Sequence, residues 1–399
     1  MTTAIKDKNI VLGVCGGIAA YKSVELLRLL RKQEANVRVI MTENAEEFVG
    51  PLTFEALSGE PVCSNLFEKN GDASIKHIDW AKASDAVIIA PATANIIGKL
   101  ACGIADDALS TFMLAVTCPV GVCPSMNTHM WENRAVQRNL KTLRDDGYFV
   151  IEPGAGELAC GTTGPGRLPE PEHIVDRLLK MLTLKDMVGK KVLVTAGPTW
   201  ESIDPVRFIT NPSSGKMGYA IARAAEHRGG DVTLISGPAN ISDPLNVNMV
   251  KITNAEEMAQ AAFQQGENCH VIIKAAAVSD YRPKESEKHK VKKDNAKMTI
   301  DLSKTQDILK ELGKRKENQI LVGFAAETRD LEENAGKKLR EKNLDMIVGN
   351  LVGDPSSGFG TDTNKVTLFF KDGKKESIPQ MEKDEVAHLL LDRIVEQLT

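Results

Sequence analysis

An α/β architecture of two doubly wound parallel-sheet domains follows from three features of the 399-residue chain. The sequence begins twice. Residues 8–20 and 189–199 each run from basic residues through a short β-branched apolar segment into small residues, as a buried parallel strand entering a ligand loop does. Each beginning is followed by a helix-periodic stretch and another apolar strand, residues 23–32 before 37–41 and residues 219–225 before 232–236. Length agrees, since 399 residues at roughly 100–200 per domain make two or three cores. The expected domains are residues 1–188 and 189–399.

Composition narrows the function classes. With 42% hydrophobic and 26% charged residues the balance is that of a soluble enzyme, and a net charge of -4 gives no electrostatic reason to expect nucleic acid or an anionic membrane as partner. The opening residues hold no apolar core of signal-peptide length, and no run approaches the ~20 apolar residues that span a bilayer, so a cytoplasmic protein is expected. Seven scattered cysteines without a Cys-x-x-Cys pair indicate neither a disulfide framework nor a zinc site.

In the first half, the loop Gly13-Val-Cys-Gly-Gly-Ile-Ala-Ala-Tyr-Lys22 is small enough for backbone N–H groups at a helix start to approach a phosphate, a reading favoured over that of a plain tight strand-to-helix turn. It lacks the Gly-x-Gly-x-x-Gly fingerprint, which favours a mononucleotide over NAD. The strand at 86–90 runs into Pro91-Ala-Thr-Ala-Asn95, a loop at a strand end where this architecture binds ligands. His77, upstream of that strand, has two readings, a capping surface histidine or a catalytic base. The strand at 118–123 runs into Pro124-Ser-Met-Asn-Thr-His-Met-Trp131. There Asn127 offers both a donor and an acceptor, and the Met and Trp side chains exclude water. Residues 154–169 are too glycine-rich for a stable helix or strand, and are either a mobile lid carrying Cys160 or a linker before the helix at 173–182.

Taken together and in this order, the Gly-Gly-Ile-Ala-Ala-Tyr-Lys22 loop, His77, the 124–131 motif and Cys160 resemble the phosphopantothenoylcysteine decarboxylase family of flavoproteins. The resemblance implies a flavodoxin-like domain that forms trimers and binds FMN through Gly16, Gly17, Thr42, Thr93, Ala94 and Asn95. It implies His77 as active-site base, Asn127 as the group binding the substrate carboxylate, and Cys160 as proton donor. The chemistry agrees with that set. A cysteinyl carboxylate loses carbon dioxide only when an electron sink is available, and a flavin that oxidises the CH2–SH group to a thioaldehyde creates one.

The second half carries Asp204-Pro-Val-Arg-Phe-Ile-Thr-Asn-Pro-Ser-Ser-Gly-Lys-Met-Gly218, which fails the Walker spacing because Thr210 stands where a glycine is needed and Met217 follows the lysine. It remains a helix start suited to phosphate oxygens. The strand at 271–274 ends in Ala275-Ala-Ala-Val-Ser-Asp280, small enough for a flat ligand, with Asp280 able to hold a metal. The lysine run around Lys290 is either a solvated loop or an electrostatic lid over phosphates. Lys304-Thr-Gln-Asp-Ile308, a strand over 320–328, and a helix with Lys338 and Lys342 at i and i+4 complete the pattern.

These segments, with Gly323-Phe-Ala-Ala-Glu-Thr328, resemble phosphopantothenate–cysteine ligase, so the chain as a whole resembles the bacterial bifunctional family of coenzyme A biosynthesis. The implied substrates are 4'-phosphopantothenate, cysteine and CTP, with Mg2+ at Asp280 and an acyl-cytidylate intermediate. The implied nucleotide contacts are Ala275, Ala276, Ala277, Asp280, Lys290, Gln306, Asp307, Ile308, Phe324, Lys338 and Lys342. Lys290 is expected to promote formation of the intermediate, and Asn211 to hydrogen-bond the acyl carbonyl while the amine attacks. Residues 207–211 are the expected dimer contact, which combined with trimers gives a dodecamer. Ser279 departs from the small apolar residue usual at its position. Two other classes fit less well: a nicotinamide oxidoreductase, which both glycine patterns oppose, and a non-catalytic flavin-binding regulator, which His77, Asn127 and Cys160 oppose.

Overall fold

The computed structural model describes residues 5–65, 73–159, 161–291, 299–327, 329–351 and 360–398; the side chains of residues 73–77 and 351 lie outside that description. The chain divides into two compact units, residues 3–183 and 184–399. Residues 184–188 go with the second unit because Met187 is buried in its core and Asp186 pairs with Arg228. Among the described residues, no helix is long and apolar enough to cross a membrane.

The first unit is built on strands β1 (Asn9–Val14), β2 (Asn36–Met41), β3 (Ala86–Ala92), β4 (Val120–Pro124) and β5 (Phe149–Val150). They form one parallel sheet in the order β2-β1-β3-β4-β5, with Leu12 opposite Val39 on one side and Ile88 on the other. The near-continuous apolar runs are explained by helices covering both faces. Leu12 and Val14 pack with Leu26, Leu27 and Leu30 of the helix Ala20–Lys32, while Val11 and Ile89 pack on the opposite face with Ile96, Phe112 and Leu140. Each fully buried leucine contributes roughly 2 kcal/mol. The strand order reverses between β1 and β3, which puts the ligand crevice at their carboxyl ends.

The segment holding His77 is the helix Ala73–Ala83, which leads into β3 as expected. One expectation for this unit needs correction. The glycine-rich segment is not devoid of strand: β6 (Gly154–Glu157) and β7 (Thr163–Arg167) form an antiparallel hairpin. Propensity does not hold it together. Its strands are fixed by docking on the 126–128 turn, where Met126 N–H donates to Gly166 O at 2.9 Å and Thr128 Oγ1 to Pro165 O at 2.9 Å.

The second unit contains β8 (Lys191–Ala196), β9 (Glu201–Ser202), β10 (Phe208–Ile209), β11 (Asp231–Ser236), β12 (Asn248–Lys251), β13 (Val271–Lys274), β14 (Tyr281–Pro283), β15 (Leu302–Lys304), β16 (Ile320–Glu327), β17 (Met346–Leu351), β18 (Thr363–Phe370) and β19 (Lys375–Glu382). The main sheet runs β12-β11-β8-β13-β16-β17-β18-β19, and β9–β10 and β14–β15 are two small antiparallel pairs outside it. Its first six strands are parallel in the doubly wound dinucleotide-fold order. The sheet is not wholly parallel, because β18 and β19 extend it antiparallel. The turn Asp372-Gly373, with Gly373 at φ 89°, closes that hairpin, and Val366 and Leu368 alternate inward along β18.

The helices Lys216–His227 and Lys383–Leu398 lie side by side over this sheet, with Leu390, Leu391 and Ile394 in the shared core. Arg228 joins them to residues 184–188: it donates to both Asp186 oxygens, to Asp392 at 2.7 Å and to the His388 carbonyl at 3.1 Å. His388 is buried, and burial, followed by the positive charge of His227 and Arg228, lowers its pKa to about 4. The unfolded histidine titrates near 6.5, so it takes up a proton that the folded one refuses, and stability is lost as pH falls through that interval. Comparing denaturant unfolding of the wild type with His388→Leu should therefore show the wild type losing ground by up to about 3 kcal/mol between pH 6.5 and 4.

Candidate functional site

In the first unit four strand ends are tied together. Cys15 N–H donates to Pro91 O at 3.3 Å, Thr42 N–H to Val14 O at 3.0 Å and Ser125 N–H to Ala92 O at 3.0 Å. The helix after β1 is fastened by Ser23 Oγ, which donates to Ala90 O at 2.6 Å. As a result the loops carrying Gly16 and Gly17, Thr42, and Thr93 to Asn95 meet at one crevice. Thr93 caps the helix Ala94–Cys102 by accepting from Ile96 N–H, and Asn95 on its first turn is exposed. Burial pushes the neighbouring Cys15 thiol up to about 12, so it stays protonated at neutral pH.

The crevice fits FMN on steric grounds. A Cβ on Gly16 would lie 2.6 Å from the Asn44 carbonyl oxygen, so only glycine lets the two loops touch. A Cβ on Gly17 meets nothing nearer than Thr93 Cγ2 at 4.0 Å, which leaves backbone open between the loops for a phosphate or a ring.

At the end of β4, Asn127 caps the turn Thr128–Trp131, its Oδ1 accepting from His129 N–H at 2.8 Å. That bond orients the amide and marks Nδ2 as the group suited to a carboxylate. The β6–β7 hairpin frames this turn, and its exit is fastened to the first helix by Lys22, whose Nζ lies 2.9 Å from Glu170. The Lys22 ammonium holds the Glu170 carboxyl below its ordinary value. Cys160, which falls between β6 and β7 in the sequence, lies outside the described residues, as does the His77 side chain. The structure therefore brings together the six proposed flavin contacts and places Asn127 under the hairpin.

In the second unit the central loop follows β13. Ala275 N–H donates to Thr195 O at 3.2 Å, Ala276 N–H to Thr195 Oγ1 at 3.3 Å and Ala277 N–H to Gly197 O at 2.9 Å, which lays the loop along the end of β8. Asn211, 66 residues away in sequence, docks on it, with Nδ2 donating to Ala277 O at 3.3 Å and Val278 O at 3.1 Å. Thr305 extends the loop by donating from N to Asp280 O at 2.9 Å and from Oγ1 to Ser279 O at 2.6 Å, which brings Gln306, Asp307 and Ile308 alongside. Asp280 itself is exposed, and no group of three or more metal-ligating side chains occurs among the described residues. A single carboxylate suits Mg2+ only when phosphate oxygens and water complete its shell. The Ser279 hydroxyl is buried with no hydrogen-bond partner among the described residues.

The lysines are paired. Lys338 lies on the helix Leu331–Glu341 and reaches Glu327 at 2.6 Å; Lys342 is the residue capping that helix and reaches Asp307 at 2.8 Å. Phe324 is half-buried on β16 between these segments in sequence. Lys290 is exposed, but its neighbour Val291 is clamped, since Val291 N–H donates to Asp204 Oδ2 at 3.2 Å and Arg207 Nη2 donates to Val291 O at 3.1 Å. The Arg207 guanidinium holds the buried Asp204 carboxyl far below the usual carboxylate range. Residues 292–298, the remainder of the lysine run, lie outside the description.

Two features of this region escape the sequence reading. One is the Asp204–Arg207 clamp, since nothing local announces an 84-residue contact. The other is Lys274, the last residue of β13. It is half-buried, and burial, then Lys342, lowers its pKa to about 8 against the opposing pull of Asp307 and Asp280. A cation closing the apolar run Val-Ile-Ile was the available signal.

The first 183 residues match the family model described as Flavoprotein, and residues 187–398 match that of the DNA/pantothenate metabolism flavoprotein C-terminal domain. The chain is 50% identical to the coenzyme A biosynthesis bifunctional protein CoaBC of Bacillus subtilis, over 98% of this chain and 97% of that one. It is 46% identical to the protein of the same name from Vibrio cholerae, over 99% and 100%. A solved C-terminal domain of a CoaBC protein is 47% identical over 54% of this chain and 98% of that chain, with a TM-score of 0.47.

The hairpin contact is the most easily tested part of the first site. A Cβ at residue 166 would sit 2.1 Å from Met126 O, and φ there is 130°. Gly166→Ala should displace the Asn127 turn and lower decarboxylation at least ~10-fold while ligation is unchanged, as read by separate assays of the two half-reactions.

Proposed function

The chain belongs to the CoaBC family of bifunctional coenzyme A biosynthesis proteins, with ligase and FMN-dependent decarboxylase activities, and we propose how its residues divide that work. The second unit joins 4'-phosphopantothenate to cysteine using CTP and Mg2+; the first decarboxylates the product to 4'-phosphopantetheine. The observation that carries the ligase assignment is the docking of the Asn211 amide on Ala277 and Val278, beside Asp280 and the Asp307–Lys342 pair.

In the ligase, a carboxylate must be activated before an amine can displace anything from it. Attack on the α-phosphate of CTP gives an acyl-cytidylate and pyrophosphate, and the charge on the phosphates calls for cations. Lys290, Lys338 and Lys342 supply them, and the main chain of 275–277 with Phe324 lies against the flat base. Asp280 would hold Mg2+, whose charge would offset that of the phosphates. Asn211 is neutral and donates to the acyl oxygen while cysteine attacks. Its Nδ2 already serves two carbonyls, so this task requires exchange of the longer bond, 3.3 Å to Ala277.

In the decarboxylase, Gly16, Gly17, Thr42, Thr93, Ala94 and Asn95 would hold FMN, which supplies the two-electron acceptor that lets a cysteinyl carboxylate leave as carbon dioxide. Asn127 Nδ2 binds that carboxylate, His77 removes a proton, and Cys160 returns one after decarboxylation. Exposed Val206 and Phe208, the latter stacked on Trp200 at 4.2 Å, support the dimer contact through 207–211, and we assign trimers to the first unit, a dodecamer to the whole and the cytoplasm as its location.

Mass spectrometry of reaction mixtures tests the division of roles. Lys290→Gln should form no acyl-cytidylate, and Asn211→Asp should accumulate it with cysteine present; the reverse pattern contradicts the assignment. His77→Asn should abolish carbon dioxide release, while Cys160→Ala should release it and stall on a partly oxidised product. Normal turnover by Cys160→Ala removes that residue from the chemistry.

A further inference from the structure

Within the second site the cations are unequally served. Lys338 and Lys342 each have a carboxylate, Glu327 and Asp307. Lys274 has none at ion-pair distance among the described residues, and its Nζ makes one weak hydrogen bond, to Ala276 O at 3.4 Å. Its backbone is fixed on both sides, opposite Thr195 of β8 and Gly323 of β16 in the middle of the parallel sheet. The ammonium therefore stands at the carboxyl end of the central strand, in the field of Lys342, Asp307, Asp280 and Lys338, with burial as the main influence on it. Removing a charge from water without a partner is unfavourable, and a protein retains such a group where a ligand of opposite charge completes it.

We propose that Lys274 is a third phosphate-binding cation of the nucleotide site, left without a carboxylate so that the incoming polyphosphate is its partner. This rests on the assignment of the nucleotide site above. Lys338 and Lys342 must release Glu327 and Asp307 to reach phosphate, whereas Lys274 has no ion pair to break, so it acts in capture of the nucleotide before the other two exchange partners. Its effect is on nucleotide affinity, and the chemistry of acyl transfer stays with Lys290 and Asn211.

The test uses the full chain loaded with FMN, with ligase kinetics and calorimetric titration of CTP in Mg2+. Lys274→Met should raise the KM and Kd for CTP by about tenfold or more, with kcat at saturating CTP within about threefold of the wild type. Lys274→Arg, which keeps the charge, should restore most of the affinity. Decarboxylation of phosphopantothenoylcysteine should be unchanged in both. In the absence of nucleotide Lys274→Met should raise Tm, because an apolar side chain replaces a half-buried charge that has no carboxylate partner, so a merely structural lysine is distinguished by the opposite sign. Should Lys274→Met not fold, Lys274→Gln is read in the same way. Unaltered CTP affinity in the uncharged variant, or equal loss in Lys274→Arg, overturns the role of Lys274. A wild-type chain that does not bind CTP overturns the nucleotide assignment itself.

Discussion

Both units depend on how closely one strand-end turn can run past the next. In the first, the turn leaving β1 touches the one leaving β2 through Gly16 and Asn44, a contact with no room for a single added carbon. In the second, a Cβ on Gly237 would fall 1.8 Å from Pro198 O, so the turns leaving β8 and β11 are packed backbone against backbone. Parallel sheets bury both faces and leave their carboxyl-end loops as the available binding surface. Where those loops are pressed together by glycine, their backbone N–H groups and short side chains converge on a ligand with little freedom left to lose on binding.

On that scaffold the two sites use different physics. The first is organised by an orienting hydrogen bond from His129 to Asn127, a protonated Cys15 thiol and a hairpin laid over the turn. It suits a flavin ring and a thiol substrate that must be kept from water. The second is a balanced set of charges, lysines 338 and 342 against Glu327 and Asp307, with Lys274 over and above the pairs. Such a cluster holds itself together without ligand through its own ion pairs.

Much of this was legible in the sequence because it lies in local pattern. The repeated strand-loop-helix-strand beginning gave the two parallel sheets, and the small-residue loops after β1, β3, β8 and β13 marked the carboxyl ends of their central strands. What escaped was non-local. The glycine-rich 154–167 segment has no strand propensity, and becomes a hairpin only because Gly164 and Gly166 dock on Thr128 and Met126. The antiparallel β18–β19 edge was foreshadowed by Asp372-Gly373 between alternating apolar residues, a short-range signal in a stretch to which no element was assigned from sequence. Lys274 and the Asp204–Arg207 clamp acquire meaning only from what folding brings beside them.

The central claim is that each unit holds a complete set of loops for its own half of the work. Expressing residues 3–183 and 184–399 as separate proteins tests it most directly. The account predicts that the first is yellow with bound FMN and decarboxylates phosphopantothenoylcysteine, and that the second converts phosphopantothenate, CTP and cysteine to the ligated product. A folded first fragment that cannot be reconstituted with FMN, or a folded second fragment without CTP-dependent ligation, would contradict it.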